Sequence, residues 1–266
     1  MKNFANCITL FSVVNAAYPP AENRFALRRR NKKMEYSVGD IIEFGSYTFD
    51  ADGTERPIKW QIMEIEDDGT AVLLSCYAAD IRAYHSEKTN ITWAESSIRA
   101  WLNCEFYNNA FSDEEKKHII PYRLANNDSI GEFTQEYADN WKRWGLDGTP
   151  YLGTKWHTKG GEDTTDKVWL LSLDDLKKYG SIFKTDKDRQ LKPSPYIYSR
   201  YVYGNNEYAK RNGTEGNVWW WLRSPGIYQH SAATVGPGGF ITANGSNADN
   251  PSGGIRPAFK INLKNL

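Results

Sequence analysis

From about residue 40 the chain alternates apolar and polar positions with a period near two. Residues 40–47 (DIIEFGSY) read as a first strand. In the next run, 58–66, Ile58, Trp60 and Ile62 fall on one side, and Lys59, Gln61, Met63 and Ile65 on the other, because side chains alternate across a strand. Residues 70–77 (TAVLLSCY) make a third run, and Asp67-Asp68-Gly69 before it has turn composition, so a hairpin is predicted.

The period then lengthens. Ile98, Trp101, Leu102 and Phe106 recur at helical spacing behind Thr92-x-x-Glu95, which has the form of a capping box. Ser112-x-x-Glu115 opens a shorter helix, expected to run to Ile119 and stop before Pro121. Residues 168–171 (VWLL) read as a strand, followed by a cap at Ser172. Asp174 and Asp175 then occupy a first helical turn, where negative charge is favourable. Two polar, glycine- or tyrosine-rich stretches, 126–167 and 181–217, read as loop-rich insertions.

The strongest local signal lies near the C-terminus. Residues 218–226 (VWWWLRSPG) are a hydrophobic strand entering a turn, and residues 254–263 (GIRPAFKINL) are a closing strand. Between them small and polar residues dominate, interrupted by Ala232, Ala233 and Val235, by Phe240 and Ile241, and by Ala248. Gly236-Pro237-Gly238-Gly239, Asn244-Gly245 and Pro251-Ser252-Gly253-Gly254 supply turns, so short strands joined by tight turns are expected. Two readings stand. One is a β-meander without a ligand. The other is a pinned scaffold, over residues 219–256, displaying small adaptable side chains as a paratope does. Trp219, Trp220 and Trp221 alternate sides on a strand, so at least one should face the loops as a binding anchor; Trp219 and Trp221 are the candidates. Arg223 and Arg256, with Trp220, are assigned as structural anchors, since arginine stacks on aromatics and pairs with carboxylates. An anion-binding role for the two arginines is the alternative.

Composition narrows the function. Lys+Arg and Asp+Glu are equal at 33 each over 266 residues, so there is no basic excess to favour nucleic acid. No apolar run is long enough to predict a membrane-spanning helix. The 10 Trp, 16 Tyr and 11 Phe are read mainly as core. The three cysteines, Cys7, Cys76 and Cys104, have no framework spacing. Cys76 and Cys104 are expected to be buried, inert thiols. The four histidines show no ligand spacing, and Asp249-Asn250 alone is too little for a calcium cage, so no metal or cofactor is predicted. A nucleophile elbow, a zinc-protease helix, a P-loop and a dinucleotide fingerprint are all missing from the sequence, so a non-enzymatic protein is expected. An active site assembled from distant residues is the weaker alternative. Residues 1–33 read as a leader, disordered or signal-like, which leaves 34–266 as one α+β domain.

Several blocks together carry a resemblance. They are residues 39–45 (GDIIEFG), 58–62 (IKWQI), 99–103 (RAWLN), 111–115 (FSDEE), 167–172 (KVWLLS), 220–226 (WWLRSPG), Ala232-Ala233-x-Val235 and 254–259 (GIRPAF). In this order they resemble the bacterial domains of unknown function DUF6273, over roughly residues 36–266. That family resembles C-type-lectin folds, and some members look like the variable proteins of diversity-generating retroelements. The resemblance implies a C-type-lectin-like domain, a mixed or antiparallel sheet with two or three helices, whose C-terminal loops bind a protein or glycan ligand. The positions corresponding to diversified ones are Tyr228, His230, Thr234, Gly236, Pro237, Phe240, Thr242, Ala243, Ser246, Asn247, Asp249 and Asn250. A secreted, cell-surface or phage-borne protein is the expectation under this resemblance; the alternative is a surface or phage structural component with a fixed binding site. The fold also resembles formylglycine-generating enzymes, but those use a C-terminal cysteine pair, and no cysteine follows Cys104.

Overall fold

The computed structural model describes residues 36–142, 147–200 and 214–266, and within 36–266 the chain packs as one unit. The predicted leader, residues 1–33, and part of the 181–217 stretch lie outside the described residues.

The architecture is α+β, with two main sheets and short helices. The first sheet runs, in order, Ile41–Thr48, Glu55–Ile65, Thr70–Ser75, Ala258–Asn262 and Val168–Trp169, with Ile119–Ile120 also paired to the C-terminal strand. All its pairings are antiparallel. The predicted hairpin is present, and Gly69 at its turn has φ +85, a conformation that only glycine adopts without strain. The expected alternation holds for Trp60 and Ile62, both fully buried, then breaks at a register shift between Ile62 and Glu64, and Met63 is buried too. Trp60 meets Phe259 edge-on at 4.6 Å, and its indole N–H donates to the Phe44 carbonyl at 2.7 Å.

The second sheet runs Ile241–Asn247, Ser231–Val235, Trp220–Pro225, Gly254–Ile255 and Asp80–Ile81. The expected closing strand of 254–263 is therefore two strands. Gly254–Ile255 pairs in the second sheet, Ala258–Asn262 in the first, and Arg256-Pro257 is the step between them. A proline has no N–H to give to a ladder, which suits it to such a step. The Pro257 carbonyl is still used, accepting from Ser75 N at 2.9 Å.

Residues 97–110 form one continuous helical stretch, α at Ser97–Trp101 and Tyr107–Ala110 with a π segment, Leu102–Phe106, between. The predicted apolar face is correct: Ile98, Trp101, Leu102 and Phe106 are all buried. The predicted cap is not. Thr92 precedes only a single 3-10 turn, Trp93–Glu95, and Ser96 caps the helix by accepting from Arg99 N. The capping boxes at Ser112 and Ser172 are complete in both directions. Cys104, expected to be buried, is exposed, because it lies away from the Leu102/Phe106 face; Cys76 is half-buried, and burial pushes its thiol up.

The stretch 126–167 is more ordered than loop composition suggested. It contains the paired strands Ser129–Glu132 and Lys155–Thr158, the helix Gln135–Lys142 and a small core of Phe133, Ala138 and Trp156. Gly131 lies so close beneath Trp156 that an added Cβ would sit 2.3 Å from its ring, which is why a glycine stands there.

Candidate functional site

The hairpin of Ser231–Val235 and Ile241–Asn247 carries most of the predicted ligand residues and separates them into two groups. Its register pairs Ser231 with Asn247 and Val235 with Ile241. At about 3.3 Å per residue the two ends lie roughly 13 Å apart. Pro237, Phe240 and Thr242 belong to the turn end and are half-buried there. Asn217 Nδ2 donates to the Pro237 carbonyl at 3.1 Å, and Arg189 Nε to the Gly239 carbonyl at 2.8 Å, so the turn is packed down. Tyr228, His230, Ser246, Asn247, Asp249 and Asn250 gather at the other end. One small ligand cannot touch both groups.

Four predicted positions are corrected by burial. Trp221 has no exposure; its indole N–H donates to the Arg82 carbonyl at 3.0 Å and its ring packs on Tyr84. Thr234 is buried in an interior strand of the second sheet. Gly236 is buried in the turn. Ala243 faces the Phe133 and Trp156 cluster, so the 126–167 stretch covers it. Trp219 is partly exposed and meets Trp221 edge-on at 4.8 Å, so it is the one member of the tryptophan run with a free edge.

The Tyr228 end forms a defined rim. The rings of Tyr228 and His230 stack, with centroids 5.3 Å apart and planes within 1°. Tyr228 is 54% exposed, and Asn247 and Asp249 are exposed beside it. Ser231 shapes the loop, its hydroxyl donating to the Tyr228 carbonyl at 2.8 Å while accepting from Tyr228 N at 3.1 Å. Between the two rings Gln229 points back into the protein. Its amide donates to the carbonyls of Ile91 and Lys159 at 3.1 and 3.0 Å and accepts from Lys159 N at 3.1 Å. Ala248 N donates to the His230 carbonyl, and His85 N to the Ala248 carbonyl, both at 2.8 Å. Asn250 Nδ2 donates to Ser246 Oγ at 3.1 Å, and its Oδ1 accepts from Ser252 N at 3.0 Å. Asn250 and Ser246 brace the rim and are less free to contact a ligand.

Sequence reasoning missed the neighbours of this rim. Asp128 accepts from Lys159 Nζ at 2.8 Å and lies 2.7 Å from His157 Nε2. The Lys159 hydrogen bond, then the Gly160 N–H and His157, hold the Asp128 carboxyl far below its usual range. The backbone of Lys159 in turn holds Gln229. The sequence shows Asn126-Asn127-Asp128 only as a turn and His157 as an isolated histidine; their approach to Tyr228 is tertiary. The rim thus combines an exposed tyrosine stacked on a half-buried histidine with exposed Asn247 and Asp249 and, nearby, the Lys159–Asp128 ion pair.

The assigned anchors are interior. Arg223 pairs with Asp175 and donates to the Leu170 carbonyl at 3.1 Å and the Ala125 carbonyl at 3.3 Å. Arg256 lies 5.1 Å from the Trp220 ring and 5.7 Å from Phe183, and donates to the Ser75 carbonyl at 3.0 Å. Burial lowers its pKa to about 10. Among the described residues, no group of His, Cys, Asp and Glu side chains is placed to hold a metal ion, and no helix is long and apolar enough to cross a membrane.

An α+β domain with a braced, loop-built rim on its second sheet is the class these features define. Residues 68–263 match the family described as Domain of unknown function (DUF6273), and the chain belongs to that family. The matched stretch begins at residue 68, so the first two strands, Ile41–Thr48 and Glu55–Ile65, with the 39–45 and 58–62 blocks, precede it. No curated protein and no solved structure matches the chain.

Proposed function

We propose that this chain is a non-enzymatic binding protein whose Tyr228 rim contacts a protein or glycan ligand. The observation that carries the reading is the exposed Tyr228 ring, stacked on half-buried His230 and held by a loop braced on several sides. A rim fixed before binding loses little entropy when a ligand arrives, and an exposed tyrosine offers large contact area with few rotatable bonds.

In this reading the scaffold is C-type-lectin-like, and the rim is the diversified surface of a retroelement variable protein. The exposure of Tyr228, Asn247 and Asp249 supports it, since substitution there disturbs little packing. The two parts are tested separately. Glycan and bacterial-surface-protein arrays are probed with wild type, with Tyr228→Ala/His230→Ala/Asn247→Ala, and with the turn-end variant Phe240→Ala/Thr242→Ala. Binding lost only in the first variant is the expected result; binding lost only in the second, or in neither, refutes the rim. For diversification, the gene is compared with any nearby template repeat. Adenine-linked mismatches at the codons of the exposed rim positions are expected, and their absence rejects that part alone.

A further inference from the structure

The Ile41–Thr48 and Glu55–Ile65 strands, with the turn that joins them, and the Tyr77–Ala78 strand line a pocket of about 370 Å³, to which Ser194 also contributes. This is within the size range of small-molecule sites. Most of its wall, from Glu43 to Lys59, precedes the stretch matched to the family, so the site is not a property of the matched region alone. The turn is held from outside by Tyr196 N, which donates to the Phe49 carbonyl at 2.8 Å, and within itself by Phe49 N and Asp50 N, which both donate to Thr54 O at 3.0 Å.

We infer that this pocket binds a neutral saccharide of one or two rings. Three features of its wall lead there. First, Tyr47, Phe49 and Tyr77 line it, and Phe49 and Tyr77 meet edge-to-face at 5.3 Å with planes 77° apart. Tyr47 is likewise edge-on to Phe106 at 5.1 Å. None of these pairs makes a parallel slot for a flat aromatic ligand, whereas the C–H face of a sugar ring needs only one aromatic surface. Second, the charged lining is balanced, with Arg56 paired to Asp50 at 2.7 Å and Lys59 to Glu43 at 4.0 Å. Such a lining carries no net charge to favour an anion or a cation. Adjacent donors and acceptors do suit hydroxyl groups, which donate and accept at once. Third, the Tyr47 hydroxyl has no hydrogen-bond partner among the described residues. Burial, with Asp80 adding, pushes its phenol up to about 12, so it remains a neutral donor.

The site is independent of the rim, and one experiment separates them. The full chain is titrated, by saturation-transfer NMR, with glucose, galactose, mannose, N-acetylglucosamine, maltose, cellobiose and chitobiose. Glucose 6-phosphate and indole serve as the charged and flat aromatic controls. At least one neutral sugar is expected to bind. Arg56→Gln, on a well-exposed side chain that leaves folding intact, and Tyr77→Ala are each expected to weaken it by about tenfold or more. Tyr228→Ala is expected to leave it unchanged. Binding of no neutral sugar, binding of the controls only, or sugar binding unaffected by both pocket variants overturns the inference. Sugar binding abolished by Tyr228→Ala places the sugar at the rim and overturns it as well.

Discussion

Gly253→Ala is the sharpest test of the packing beneath the candidate surface. Gly253 is not among the residues with positive φ, so an alanine backbone is tolerated there. The space is not available. An added Cβ would lie 1.9 Å from Trp221 Nε1 and 2.5 Å from both Cδ1 and Cε2. The indole cannot move freely, because it is fully buried, packed on Tyr84 at 5.6 Å and bonded to the Arg82 carbonyl. Overpacking of this kind costs about 1–3 kcal/mol, and loss of the indole hydrogen bond adds about 1 kcal/mol. The expected loss is therefore about 2–4 kcal/mol, or roughly 4–16 °C in Tm for a unit of this size. Urea unfolding followed by far-ultraviolet circular dichroism measures it. The stronger control is the Trp221→Leu background, which lacks the atoms the new methyl meets. There Gly253→Ala should cost little, so the coupling should approach the full loss, about 2–4 kcal/mol. Wild-type stability for Gly253→Ala, or strict additivity in the double variant, would refute the argument and return Trp221 to the candidate ligand residues.

Other expectations follow from the same contacts. Arg223→Met should destabilise by about 2–4 kcal/mol in denaturant titration, since it removes the cation paired with Asp175, which keeps only its capping-box bond from Ser172 N, and leaves two carbonyls without this donor; a change within error would contradict the anchor assignment. Gln229→Ala should weaken rim binding without touching the ligand, by releasing the loop from Ile91 and Lys159, and hydrogen exchange at residues 227–231 should quicken in parallel. The Glu66 carboxyl is held below its ordinary 4.5, chiefly by the Lys260 hydrogen bond against the opposing effect of burial, with Thr70 assisting. A depressed folded value stabilises above pH 4.5, and the contribution is lost as the pH falls through that lower value. Glu66→Gln should accordingly narrow the gap between urea midpoints at pH 7 and pH 3, and an unchanged gap would exclude this pair as a source of acid sensitivity.

Local pattern alone marked the first three strands, the apolar face of the 97–110 helix, the caps at Ser112 and Ser172, and the glycine turns of the C-terminal hairpin. Each depends on neighbours a few residues away: alternation on a strand, spacing on a helix, a side chain reaching the third amide onward, or a backbone shape that glycine permits. Pattern also marked residues 219–256 as strands displaying small side chains, and Tyr228, His230 and Asn247 within them do reach the surface. Long-range packing decided the rest. Periodicity states that Trp219, Trp220 and Trp221 alternate, but not which face another element covers; Tyr84 and Gly253 cover Trp221. It does not reveal that 126–167 folds over Ala243, or that Lys159 braces Gln229. Nor does it show that one apolar run, 254–262, leaves the second sheet at Arg256 and enters the first. A side chain's own sequence sets what it is able to bury or bind, and its partners, brought from far along the chain, set whether it does.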